Sequence, residues 1–180
     1  MAGKRQIVLL RGINLGARAV GMGELRTVLE GHGYEDVRTL LRSGNVVLTA
    51  TQSGRALERR LEEQLTEAFG FPIPVVVRTR DELAKAVERN PLAAVADNPS
   101  RYTVTFFSEA VPVARVRELE ALAAPPEALA ASGRELYTWH PDGLARSPLA
   151  AELARKRGGA VGTSRNWNTV TKLLALAGDG

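Results

Sequence analysis

Apolar residues along this chain fall into short continuous runs and longer helical stripes, and the two kinds alternate in a readable order. Ile7 to Leu10 is a continuous, branched run, the pattern of a buried strand. A connection from Arg11 to Gly21 follows, carrying Gly12, Gly16 and Gly21. Met22, Leu25, Val28 and Leu29 then recur at helical spacing until Gly31 to Gly33 stops them. Asp36 to Arg42 and Asn45 to Thr49, joined at Ser43-Gly44, read as a β-hairpin. Leu57, Leu61, Leu65, Ala68 and Phe69 mark one face of a longer helix, and Pro72 to Arg78 closes the unit as a strand. The order βαββαβ is the ferredoxin-like motif, in which right-handed crossovers place both helices on one sheet face.

Asp81 to Asn90 predicts a linking helix on Leu83 and Val87 that ends before Pro91, and Ala94 to Ser100 reads as a polar loop. The order then repeats. Arg101 to Phe107 is a strand, Val113 to Ala123 a helix, and Pro125-Pro126 a break. Glu127 to Ala131 and Glu135 to Trp139 form a second hairpin around Ser132-Gly133. Leu40, Ser43, Gly44 and Val47 in the first hairpin are echoed by Leu129, Ser132, Gly133 and Leu136 in the second. Ser147-Pro148 opens a capped helix, and Thr163 to Asn166 leads into a last one with the stripe Val170, Leu173, Leu174 and Ala177. The expectation is an α+β protein of two tandem ferredoxin-like (βαββαβ-type) halves. The first half is 1–79, the linking helix and loop 80–100, and the second half 101–180, with an extra C-terminal helix.

Composition changes this picture little. The chain has 180 residues, a net charge of +4 and no cysteine, which removes disulfides, thiolate zinc sites and cysteine nucleophiles. Only four of its 24 basic residues are lysine, so the basic surface is mostly arginine. Guanidinium forks recognise carboxylate and phosphate, although a genome rich in Ala, Arg and Gly codons gives the same bias. The run Ile7 to Leu10 is too short for a signal peptide and is ended by Arg11. No stretch nears the apolar length of a membrane span. A soluble cytoplasmic protein, with no membrane partner, is the expectation.

Catalytic motifs are sparse. There is no Gly-x-Ser-x-Gly, no His-Glu-x-x-His, no phosphate-binding P-loop and no acidic cluster, so neither a metal nor a cofactor is expected. His140 beside Asp142 is the one candidate for an oriented base, and Pro-Asp-Gly forms turns for its own reasons. An RNA-recognition platform needs exposed strand aromatics. Tyr102, Phe106, Tyr137 and Trp139 are the available set, and half-buried aromatics mostly belong to cores.

Three segments stand out together: Leu9-Leu10-Arg11-Gly12-Ile13-Asn14-Leu15-Gly16, Val37-Arg38-Thr39 through Ser43-Gly44-Asn45-Val46-Val47, and Thr163-Ser164-Arg165-Asn166-Trp167-Asn168-Thr169-Val170. In this order and spacing the chain resembles the bacterial family catalogued as domain of unknown function 1697. That resemblance implies an α+β fold and carries no activity with it.

Each segment has a functional and a structural reading. The first loop can offer backbone N–H groups to a phosphate, or its glycines can simply allow positive φ. Arg38 and Arg42 share a face under strand alternation, which makes an anion clamp or a solvated pair. At the last segment one Asn would cap the helix, and a second Asn, Arg165 and the hydroxyls of Thr163, Ser164 and Thr169 exceed what capping needs. The expected ligand-binding set is therefore Arg11, Asn14, Ser43, Asn45, Arg165, Asn166 and Asn168, meeting in one composite site for an anionic small molecule or nucleic acid. The alternatives are a metal-independent enzyme on a small anionic metabolite and a scaffold locked by buried polar networks.

Overall fold

A sheet covered on one face by helices needs strands whose alternate residues are apolar, and the first three strands supply this. The computed structural model describes residues 2–155 and 160–178. It divides into two compact units, Met1–Lys85 with Lys172–Gly180, and Ala86–Thr171.

The first unit holds β1 (Lys4–Leu10), α1 (Met22–Gly31), β2 (Glu35–Leu40), β3 (Asn45–Ala50), α2 (Gly54–Phe69) and β4 (Val75–Thr79). Its antiparallel sheet has the order β2-β3-β1-β4. Val8 lies opposite Val46 on one side and Val77 on the other, so their side chains share a face. Leu25 and Leu29 of α1, and Leu57, Leu61 and Leu65 of α2, close that face as one core. The i, i+4 spacing of the three α2 leucines puts them on a single stripe. Gly70, in the left-handed region at φ 76°, ends α2, and its N–H donates to the Thr66 carbonyl.

The helix α3 (Arg80–Arg89) runs across the division into the second unit. There follow β5 (Tyr102–Phe107), α4 (Val113–Glu120), β6 (Ala128–Ser132), β7 (Glu135–Trp139), α5 (Pro148–Ala154), β8 (Gly162–Asn166) and α6 (Trp167–Gly178). The second sheet, also antiparallel, repeats the first order as β6-β7-β5-β8. Leu119 of α4 and Leu149 of α5 pack with Leu136 and Phe107 on one sheet face. Duplication of a ferredoxin-like βαββαβ unit, with α6 added at the C-terminal side, describes the architecture.

Two local expectations change. The first hairpin is not a two-residue turn at Ser43-Gly44, because β2 ends at Leu40 and residues 41–44 form the loop, with Leu41 and Gly44 both at positive φ. Arg42 therefore lies beyond the strand and shares no strand face with Arg38. In the second hairpin Ser132 pairs with Glu135 across Gly133-Arg134, so the two Ser-Gly dipeptides occupy different turn positions. The echo between the hairpins is one of element order rather than of equivalent residues.

The second change is β8 (Gly162–Asn166), where the sequence predicts only a lead from Thr163 to Asn166 into the last helix. It is an edge strand held by β5 alone, and its hydroxyl and amide side chains carry no apolar alternation to betray it.

Candidate functional site

The first loop is shaped by one amide. Asn14 takes a positive φ of 55°, a conformation Asn tolerates better than most residues. Its Oδ1 accepts from the Val20 N–H at 2.9 Å, and its Nδ2 donates to the Val20 carbonyl at 3.1 Å and the Arg42 carbonyl at 2.6 Å. The loop is thereby closed on itself and clipped to the turn of the β2–β3 hairpin. The Arg11 N–H donates to the Pro74 carbonyl, tying the loop's start to the segment before β4. Arg18 lies with its guanidinium carbon 5.8 Å from the centroid of the Phe71 ring, a cation–π arrangement.

The hairpin turn comes equally close from its own side. The Leu10 N–H donates to the Gly44 carbonyl at 2.8 Å. A Cβ on Gly44 would stand 2.8 Å from both Leu10 Cβ and Ile13 Cδ1, at a φ of 86°. Only glycine fits such a crossing without displacing its neighbours. Asn45 is fully buried, and its Nδ2 donates to the Leu40 carbonyl and to Ser43 Oγ.

Two of the three polar segments therefore meet within the first unit. Asn14 and Asn45 direct their amides into the backbone there, while Arg11 is half-buried and Ser43 exposed. The third segment belongs to the second unit. Arg165 sits on β8 opposite Val104, and its side chain is 8% exposed. Its Nη1 donates to Thr163 Oγ1 at 2.7 Å and to the Ser164 carbonyl at 2.8 Å. Burial pulls the guanidinium down to about 10, far from its ordinary value.

Asn166 Oδ1 accepts from the Thr169 N–H at 3.0 Å, which makes Asn166 the cap of α6. Asn168 is half-buried on the first turn, and its Nδ2 reaches Ser100 Oγ at 3.2 Å. Trp167 stacks on Tyr102 with centroids 4.8 Å apart.

The strand aromatics Tyr102, Phe106, Tyr137 and Trp139 are all buried, so none of them presents a face on which a base could stack. His140 finds a different partner from the one its neighbourhood suggested. Its Nδ1 meets Glu127 Oε1 at 2.7 Å, and its Nε2 meets Thr138 Oγ1 at 3.0 Å. Asp142 takes no part in that contact. Sequence reasoning missed Glu127, because only the β6–β7 pairing brings residues 127 and 140 side by side. Ser147, the cap of α5, also bonds Glu127. With Thr138 and His140 both about 1% exposed, this chain of groups is an internal brace. Among the described residues no three His, Asp or Glu assemble as metal ligands, and no helix is long and apolar enough to cross a membrane.

A duplicated ferredoxin-like α+β protein with polar, arginine-bearing loops is the class this geometry defines. Residues 4–137 match the family described as protein of unknown function (DUF1697), and the chain belongs to that family. It is similar over 98% of its length to the structure titled "The structure of conserved bacterial protein SP0830 from Streptococcus pneumoniae", covering 99% of that chain at a TM-score of 0.77 and 23% identity. At that identity the likeness is one of fold. No curated protein matches.

Proposed function

We propose that this protein binds an anionic ligand, carrying phosphate or carboxylate, at the β8–α6 junction of its second unit. The observation that carries the reading is Arg165. Its guanidinium is carried, 8% exposed, on the strand that runs directly into the start of α6, so an anion bound at that junction would meet a positive charge held in place by the fold. The N-terminus of a 12-residue helix begins two residues later, and its dipole favours the same sign of ligand. Asn168, in the first turn of the helix and half-buried, supplies orientation, while Asn166 holds the helix start in place. In the first unit, Arg11 and Ser43 are the residues of the expected set best placed to meet a ligand, with Asn14 and Asn45 fixing the loops that carry them.

The experiment is a thermal shift of the full chain against inorganic phosphate, citrate, mononucleotides and short RNA, repeated with Asn168→Ala and Arg165→Lys. A ligand at about a hundred times its Kd stabilises by about 2.7 kcal/mol, which is a rise of about 5–11 °C in Tm for a chain of this size. Asn168→Ala should fold normally and lose most of that rise. A response that falls steeply with salt would mark a nucleic acid rather than a metabolite. If no anion shifts the wild type, the reading fails and a second one takes its place. Asn14 and Asn45, with their amides bonded to backbone, already favour that second reading, in which the polar segments are a scaffold.

A further inference from the structure

At the opposite end of the first sheet from the Ser43-Gly44 turn lies a cleft of about 390 Å³. Its lining includes His32, Tyr34 and Glu35 between α1 and β2, and Thr51, Gln52 and Arg60 from the end of β3 and from α2. The volume falls within the range of small-molecule sites, although the lining is far more polar than usual, which selects a polar occupant.

The layout of charge is specific. Glu35 and Arg60 line the same cleft with opposite signs, and both are exposed. Neither makes an ion pair with the other or with any described residue. Arg60 is near enough to Tyr34 for its charge to work against burial, the larger influence, which raises that phenol. The Tyr34 hydroxyl is itself held by Gln64 Oε1 of α2 at 2.9 Å, which ties the segment before β2 to that helix. A cleft lined by an acid and a base that are not paired with each other matches a ligand carrying both charges.

We propose that the cleft binds a small zwitterion of the class of a free amino acid, its carboxylate on Arg60 and its ammonium on Glu35. His32 and the hydroxyl of Thr51 remain for side-chain contacts. Each ion pair alone would be worth little at such exposed positions, so selectivity rests on both charges of the ligand being met at once.

The test is two-dimensional NMR of the full chain titrated with glycine, L-serine and L-glutamine, with N-acetylglycine and glycinamide as probes lacking one charge each. The expected result is saturable shifts confined to the amides of Gly33, Tyr34, Glu35 and Thr51. Each single-charge probe should bind at least about ten-fold more weakly. Arg60→Ala and Glu35→Gln, both at exposed positions, should each cost a similar factor while the rest of the spectrum stays put. Acetate or inorganic phosphate moving the same amides as strongly as glycine would overturn the proposal in favour of a plain anion cleft. Shifts that stay linear to tens of millimolar would overturn it altogether. Phosphate acting only on the amides around Arg165 would leave this proposal standing while supporting the anion site, so the two fail separately.

Discussion

An edge strand exposes a row of backbone N–H groups, and on β4 three carboxylates take them. The N–H groups of Val75, Val77 and Thr79 donate to Glu62 Oε1, Glu58 Oε1 and Glu82 Oε2 at 2.9, 2.9 and 2.8 Å. Glu58 is the critical member because its side chain is fully buried, with Oε2 paired to Arg55 at 2.9 Å. Replacing Glu58 with Ala removes a charge-assisted acceptor and leaves a buried N–H unpaired. Hydrogen bonds to charged groups contribute about 1.5–3 kcal/mol, and an orphaned donor costs a comparable amount, so a loss of about 2–4 kcal/mol is expected. Glu58→Gln keeps a neutral acceptor and should lose about 1–2 kcal/mol.

Urea denaturation gives the global figure, and hydrogen exchange at the Val77 amide gives the local one. Protection at Val77 should fall in Glu58→Ala and largely survive in Glu58→Gln. Glu58→Met separates the two causes at work. Glu58 is buried while its partner Arg55 is half-exposed, and a buried charge can cost as much in desolvation as its contacts return, in which case an apolar replacement stabilises. If Glu58→Met matched or exceeded the wild type, or if Glu58→Ala stayed within about 0.5 kcal/mol of it, the strand N–H groups would not be what holds Glu58 in place.

Gly44→Ala should destabilise by about 2–5 kcal/mol by chemical denaturation, because the new methyl meets Leu10 and Ile13 at 2.8 Å in a left-handed conformation. Burial works to raise the Glu127 carboxyl, but bonds from Ser147, His140 and the Ala124 N–H outweigh it and hold its pKa below the ordinary carboxylate value. A depressed carboxylate stabilises the fold above its unfolded pKa, so stability should drain as pH falls below about 4, and Glu127→Gln should flatten that limb of the stability–pH curve. Burial lifts both Tyr102 and Tyr137 to about 12. Their contribution is complete below the ordinary phenol value and lost as pH rises through 12, so ultraviolet titration should show neither phenolate before the fold opens.

How much was legible in the sequence depended on whether neighbours or distant partners fix a residue. The strands β1 and β3, the α2 stripe and the repeated element order follow from local periodicity, and all three appear as read. The turn at residues 41–44 was misplaced by two residues because Leu41, an unlikely candidate by type, takes a positive φ alongside Gly44. The strand β8 stayed hidden because its register with β5, not its composition, makes it a strand. The pairing of His140 with Glu127 needs the β6–β7 ladder, whereas Asp142 stands near His140 in sequence for the turn chemistry of Pro-Asp-Gly.

The same contrast bears on function. An amide or hydroxyl in a loop looks equally available in sequence whether it holds the chain or meets a ligand, and the backbone decides which. Asn14 takes a left-handed φ and bonds one residue's N–H and carbonyl together with the carbonyl of Arg42. Every such bond constrains the loop, and none needs a ligand to explain it. Asn45 is buried with its Nδ2 bonded twice. Asn166 is accounted for by its cap, and Asn168, whose Nδ2 makes a longer bond to an exposed serine, is not. Structural need thus explains three of the four asparagines, and Arg165 and Asn168 remain the candidates for an anion site. Arg165 is bonded to Thr163 and Ser164 and so serves the strand as well, and what separates the two readings is whether an anion at the start of α6 adds to those bonds or finds the guanidinium already fully engaged.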